Sequence, residues 1–262
     1  MTEDSKAYWA WLQLSLGEGS FKPKRILSYF PDIPSFYDAG PTQWRSLGLF
    51  TPKELKQLSQ NTLEDGKVLI ASNEEKGIQT ITPACKAYPQ RLYQIDNPPC
   101  MLYVKGTLPN LDEQPALAVV GTRNATTTGK QITYDLSMQL AQAGMVIISG
   151  GAKGIDTAAH QGALQGNGIS VCVLGCGIEY PYLMENESMR QSIAEHGAII
   201  SEFPVTKPAF KHHFPIRNRI ISGLSVGVLV VEAAERSGSL ITARTALEQN
   251  RDVFAVPCGI YN

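Results

Sequence analysis

Near-continuous apolar runs recur through the second half of the chain, at 116–120, 145–148, 169–174, 198–200 and 226–231, and 252–256 closes the series. Between them, apolar residues return at helical spacing, as in Ile132, Leu136 and Leu140 before the stop at Gly144, or Leu240, Ala243 and Leu247. A strand covered on both faces reads as an unbroken apolar run, whereas a half-exposed strand alternates. Five strand–helix alternations and a sixth strand therefore predict an α/β fold. Its sheet should be parallel and doubly wound, of extended Rossmann-like type, with helices on both faces.

Residues 1–74 read differently. Tyr8, Leu12 and Leu16 mark a first helix stopped by Gly17-Glu18-Gly19, and 24–30 forms a second, ended by Pro31 and Pro34. Further helices cover 41–47 and 52–58. Thr51, Pro52 and Glu54 spell a capping box, occupying the N-cap, the first helical position and N3. Short helices joined by glycine turns describe a small structural or interaction module. From Gly77 the period becomes two, at 78–82, followed by a proline-punctuated loop and a short apolar strand at 101–104. The predicted organisation is a small all-helical module, 1–74, ahead of the Rossmann-like domain, 75–262.

In doubly wound sheets ligands bind beyond the carboxyl ends of the strands. The unusual clusters of this chain all fall there: 121–123, 149–154, 175–180, 202–219 and 232–239. Ser149-Gly150-Gly151-Ala152-Lys153-Gly154 joins a strand to a helix and reads as an anion cradle, or else as a tight turn that only packs the helix on the sheet. It departs from GxGxxG at Ser149, and no acidic residue ends the next strand, so dinucleotide binding is not expected. Ser237-Gly238-Ser239-Leu240-Ile241-Thr242 caps another helix and offers either a second phosphate seat or an ordinary serine cap. Arg123 stands at the same edge as a fixed cation, or as the partner of Glu202 or Glu232.

The most distinctive stretch is Phe210-Lys211-His212-His213-Phe214-Pro215-Ile216-Arg217-Asn218-Arg219. Between Phe203 and Ile220 stand two lysines, two arginines and two histidines with no carboxylate, although the whole chain carries a formal charge of only -1. Cations interleaved with aromatic rings suit single-stranded nucleic acid. Alternatively, Phe214 is core and the arginines pair with acids elsewhere. Near-neutral overall charge confines any nucleic-acid surface to a local patch.

Five cysteines without a CxxC pair fit a reducing compartment and no zinc site, with Cys172 as plain core. The N-terminus has neither a secretory pattern nor a long apolar span, so a cytoplasmic protein is expected. Catalytic templates fail. Gly129-Lys130 lacks P-loop spacing, and Gly223-Leu224-Ser225-Val226-Gly227 precedes a strand instead of following one. The adjacent His212 and His213 do not face one ligand, and His160 reads as a satisfied core histidine. No cofactor and no metal are expected. A rival from another class is a nucleotide phosphoribohydrolase-like enzyme on a similar scaffold. The loop at 149–156 lacks the Glu of that PGGxGTxxE signature and carries Lys153.

Taken together, Gly121-Thr122-Arg123, the 149–156 loop with Ala159-His160, Gly177 with Tyr180-Pro181, Ser201-Glu202, 214–221 and 237–243 closely resemble the DprA/Smf DNA-processing family. The resemblance runs from about residue 82 to 257. It implies a non-catalytic single-stranded-DNA-binding protein, a homodimer that protects incoming DNA and loads the RecA recombinase in natural transformation. It implies DNA contacts from Gly121, Thr122, Arg123, Gly150, Gly151, Lys153, Lys211, Phe214, Arg217, Asn218 and Arg219. Ser237, Gly238, Ser239, Leu240 and Thr242 complete that set. The family's N-terminal bundle, SAM-like or helix-hairpin-helix-like, matches 1–73 only loosely. Family members continue into a Gly-rich turn, a final helix and often a winged helix, and Cys258 stands where Gly is usual. A piece of a longer protein is therefore expected.

Overall fold

The computed structural model describes residues 3–234 and 237–257; Glu235, Arg236 and Cys258 of the stretches named above lie outside the described residues. Helices α1 (Glu3–Leu16), α2 (Lys22–Ile26), α3 (Ile33–Ser46), α4 (Pro52–Gln60) and α5 (Leu63–Glu75) come first. Thr51 and Glu54 form the expected capping box, and Thr62 and Asp65 form a second one that starts α5. The Lys22 ammonium meets the Glu54 carboxylate and ties α2 to α4. Pro34, expected to end a helix, lies instead in the first turn of α3. A proline costs nothing there, because that N–H has no intrahelical partner to lose. Gly40 breaks α3 with φ 74°, so Pro41 opens its second half. Trp11, Phe36 and Trp44 form the centre of this bundle, with ring centroids 5.6–5.9 Å apart.

Eight strands then build one sheet: β1 (Gln79–Ile81), β2 (Leu102–Gly106), β3 (Ala116–Val120), β4 (Val146–Ser149), β5 (Ser170–Leu174), β6 (Ala198–Ser201), β7 (Gly227–Val230) and β8 (Asp252–Ala255). A short helix, α6 (Gln90–Tyr93), sits in the proline-rich connection. The crossovers are α7 (Thr127–Gln142), α8 (Ile155–Gln165), α9 (Glu187–His196), α10 (His213–Gly223) and α11 (Gly238–Glu248). Strand order is β1-β2-β6-β5-β4-β3-β7-β8. The six strands β3 to β8 are mutually parallel, as the apolar runs predict, while β1 and β2 are antiparallel additions at the β6 edge.

Burial on both faces explains the unbroken runs. In β3, Ala116, Ala118 and Val120 join one core with Val173 and Val228. Leu117 and Val119 point the other way and pack with Ile155, Ala159 and Ala163 of α8. Cys172 is fully buried core. From β3 the chain winds outward through β4, β5 and β6, then returns to lay β7 on the opposite side. The winding direction therefore reverses between β3 and β7, the point where a doubly wound sheet leaves a crevice at its carboxyl edge. No helix among the described residues is long and apolar enough to cross a membrane.

Candidate functional site

That reversal opens a cleft of about 310 Å³ between the exits of β3 and β7 and the first turns of α10 and α11. Thr122, Arg123, Phe214, Asn218, Ser239 and Thr242 contribute to its walls. Arg123 leaves β3 exposed, and its guanidinium lies over the Phe214 ring, 5.0 Å from the centroid. It pairs with neither Glu202 nor Glu232, whose carboxylates are engaged elsewhere. Arg217 approaches the same ring at 5.8 Å, and Tyr182 packs against it at 5.8 Å.

Phe214 is seated by what precedes it. A Cβ on Gly175 would come within 3.0 Å of the ring, so the glycine leaving β5 makes the space. The Gly175 carbonyl accepts a hydrogen bond from His213 Nδ1 at 3.2 Å, which requires Nδ1 to carry the proton. Burial holds His213 below the usual imidazole range, and its ring stacks on Phe203 at 4.1 Å. The start of α10 is thus pinned to the exits of β5 and β6.

Beneath the cleft lie two opposite charges. Arg217 is buried and donates from Nη1 to the Val173 carbonyl at 2.7 Å. Burial pushes the Asp156 carboxyl above the ordinary carboxylate range, while Arg217 draws it back. Asp156 also accepts the Ala152 amide at 3.2 Å. These two charges offset each other, which leaves the exposed Arg123 and Lys211 as the cations that Phe214 has beside it or three residues away.

The glycine loop after β4 differs from an open anion cradle. The Ala152 amide is taken by Asp156, and the Ile155 amide donates to the Thr122 carbonyl at 3.3 Å. A Cβ on Gly150 would stand 1.8 Å from Arg217 Nη1, and one on Gly151 (φ +68°) would stand 2.6 Å from Cys172 Sγ. These glycines admit a buried arginine and a thiol. Gly150→Ala is therefore expected to expel the Arg217 guanidinium from Val173 and to cost about 1–3 kcal/mol by overpacking. Urea denaturation checks this, and unchanged stability would mean that Arg217 has a second resting place.

On the far wall, Ser237 caps α11, its Oγ accepting the Ser239 amide at 3.3 Å and lying 2.6 Å from Ser239 Oγ. Asn218 Nδ2 donates to the Gly238 carbonyl at 3.4 Å and joins α10 to this turn. The eleven-residue helix behind it directs a partial positive charge at the cleft. The N-terminus of α7, by contrast, is already occupied. Glu232 accepts the Thr126 amide at 3.0 Å and the Thr126 hydroxyl at 2.5 Å.

The sixteen residues implied as contacts therefore divide. Gly121, Thr122, Arg123, Phe214, Arg217, Asn218, Ser237, Gly238, Ser239 and Thr242 line the cleft. Gly150 and Gly151 support it from behind. Lys153 turns to the groove between α7 and α8 and pairs with Glu185 at 2.5 Å. Lys211 and Leu240 are exposed outside the cleft lining. Arg219 is buried and held bidentately by Glu202 at 2.7 and 2.8 Å. Asp156, Tyr182 and Glu232 complete the arrangement. Only the last follows a strand end where sequence reasoning looks for polar residues.

The chain matches the family model described as DNA recombination-mediator protein A over residues 79–262. It is 38% identical over 263 residues to Protein Smf of Synechocystis, covering 98% of this chain and 66% of that relative's own length. The X-ray structure of DNA processing protein A from Streptococcus pneumoniae superposes with a TM-score of 0.83 at 31% identity, covering 100% of this chain and 89% of that one. The structure of DNA processing protein A from Helicobacter pylori, reported for its single-stranded DNA binding mode, gives 0.63 at 33% identity. It covers 70% of this chain and 82% of that one.

Proposed function

The chain belongs to the DNA recombination-mediator protein A family, and we propose that its cleft binds single-stranded DNA, protects incoming strands and presents them to the RecA recombinase during natural transformation. The observation that carries this reading is the Arg123 guanidinium over the Phe214 ring at the cleft rim, with the N-terminus of α11 in the same cleft lining. A guanidinium backed by a ring offers its outer face to a base and its N–H edge to a phosphate. The α11 turn supplies a second anion seat at the distance of a cleft width. Nothing in this geometry reads base edges, which suits a strand of any sequence.

The contact set we propose is Thr122, Arg123, Phe214, Asn218, Ser237, Gly238, Ser239 and Thr242, with Lys211 adding charge from the approach. Arg217, Gly150 and Gly151 act from behind as the support. Lys153, Arg219 and Leu240 are left out, because their side chains are committed or face elsewhere. We read the protein as a binder and not an enzyme. The acid beneath the cleft, Asp156, is engaged by the Ala152 amide and offset by Arg217, and His160 is sealed in the core.

Arg123→Ala is expected to weaken binding to every sequence and to flatten the slope of log K against log salt by roughly 0.7 for each phosphate it ceases to neutralise. Phe214→Ala is expected to cost about 1–3 kcal/mol, since it removes both a ring and the platform that holds Arg123. Gel shifts of short single strands at several salt concentrations test both. An unchanged slope for Arg123→Ala would refute this reading of the cleft.

The division near residue 74 is supported by the family match starting at 79 and by an aromatic core, Trp11, Phe36 and Trp44, drawn from the first helices. A cytoplasmic homodimer completes the proposal. Leu240 and Leu247, which the spacing of α11 would turn inward, face outward because Ser239, Thr242 and Ala246 fill its buried side. They supply apolar surface for pairing.

A further inference from the structure

We propose that the strand leaving the cleft continues across α10 onto α2, where Phe21 and Arg25 form a second base-stacking platform on the helical module. This rests on the reading of the cleft as a single-strand site. Phe21 is 51% exposed, and the Arg25 guanidinium lies 4.9 Å from its ring centroid. That repeats the Arg123–Phe214 arrangement. Tyr29, 62% exposed, is a further exposed ring in the turn that follows α2. Exposed rings backed by an arginine are poor material for a solvated surface and good material for unpaired bases.

Placement supplies the second argument. A Cβ on Gly19 would stand 2.7 Å from Ile216 Cγ2, two residues along α10 from Phe214. Glu18 pairs with Lys207 at 3.5 Å and Glu202, which accepts the Gly19 amide, pairs with Arg219, so both acids at this turn are already engaged. At the other end, Lys24 Nζ donates to the carbonyls of Gln94 and Ile95 at 3.0 and 2.9 Å and ties α2 to the turn that follows α6. Adding two helical residues, one side-chain contact and two extended residues puts Phe21 within about 20 Å of Phe214. At stacked spacing that is about six nucleotides, and fewer when the strand is stretched. The helical module would thus lengthen the binding site beyond the strands that the cleft alone can hold.

The test is fluorescence anisotropy with labelled oligodeoxythymidine of about 5 and about 20 nucleotides, lengths that bracket a single short site and a full track. Phe21→Ala and Arg25→Ala are each expected to weaken the longer strand roughly tenfold and leave the shorter one unchanged, with Phe21→Trp retaining wild-type affinity. Arg123→Ala should weaken both lengths. Wild-type affinity of Phe21→Ala and Arg25→Ala for the long strand, or equal loss at both lengths, would overturn the proposal while leaving the cleft reading intact. Wild-type protein that binds neither length would overturn both.

Discussion

Glu202→Ala is expected to destabilise the protein by about 3–5 kcal/mol, the effect of stranding one charge of a buried ion pair. The side chains of Arg219 and Glu202 are 5% and 2% exposed. With the carboxylate gone, Arg219 would keep a full charge in the interior, and its Nε already has no partner among the described residues. The same carboxylate accepts the Gly19 amide at 2.9 Å, and the Glu202 carbonyl accepts Gln13 Nε2 at 3.3 Å. One residue at the exit of β6 therefore holds α10 on one side and the helical module on the other. Loss of the pair should expose the 17–21 turn to limited proteolysis as well as lower the urea midpoint. Replacing both partners together, Glu202→Gln with Arg219→Met, should recover much of the loss, because removing both charges also removes the cost of burying them. A Glu202→Ala loss below about 1 kcal/mol would show that water reaches Arg219.

This pair also marks where sequence reading reaches its end. The parallel sheet was legible because burial on both faces leaves an unbroken apolar run, a local property of each strand. The cleft was legible for a topological reason: loops at the carboxyl ends of β3 and β7 must meet wherever the winding reverses. Arg123 and the 237–242 turn are brought together by that rule, while Phe214 reaches them from the start of α10, which is pinned to the exits of β5 and β6. What spacing does not show is which cation of 207–219 keeps its charge for a ligand. Arg217 and Arg219 are two residues apart on one helix, yet one floors the cleft against Val173 and the other faces the helical module. Their partners, 44 and 17 residues away in sequence, are fixed only by the packed fold. The glycine loop misleads for a related reason. Glycine allows close approach, and a buried guanidinium and a thiol exploit it here as well as a phosphate would. In α11 the pattern Leu240, Ala243, Leu247 gives the helix but not its inward face. Packing against α10 selects the small residues Ser239, Thr242 and Ala246.

A second large effect is expected on acidification, from His160. Its Nδ1 lies 2.8 Å from Ser170 Oγ, and that hydroxyl donates to the Ile147 carbonyl at 3.1 Å. The hydroxyl must therefore accept from Nδ1–H, which leaves Nε2 as a bare acceptor with no partner among the described residues. A ring so placed cannot take a second proton without burying an uncompensated cation, and Arg217 nearby adds repulsion. Burial, with that repulsion, pushes its pKa down to about 3, against an ordinary value of about 6.5. Between those values the unfolded chain binds a proton that the native chain refuses, so stability falls as pH drops through the window. The slope from this group is about 1.4 kcal/mol per pH unit, on the order of 3–4 kcal/mol lost by about pH 4. His160→Asn keeps a donor for Ser170 and removes the titration. Urea denaturation of both proteins at a series of pH values should give a wild-type curve that falls more steeply below about pH 6.5. Parallel curves would mean that His160 accepts its proton in the native state, through an opening that Arg217 and α8 do not close.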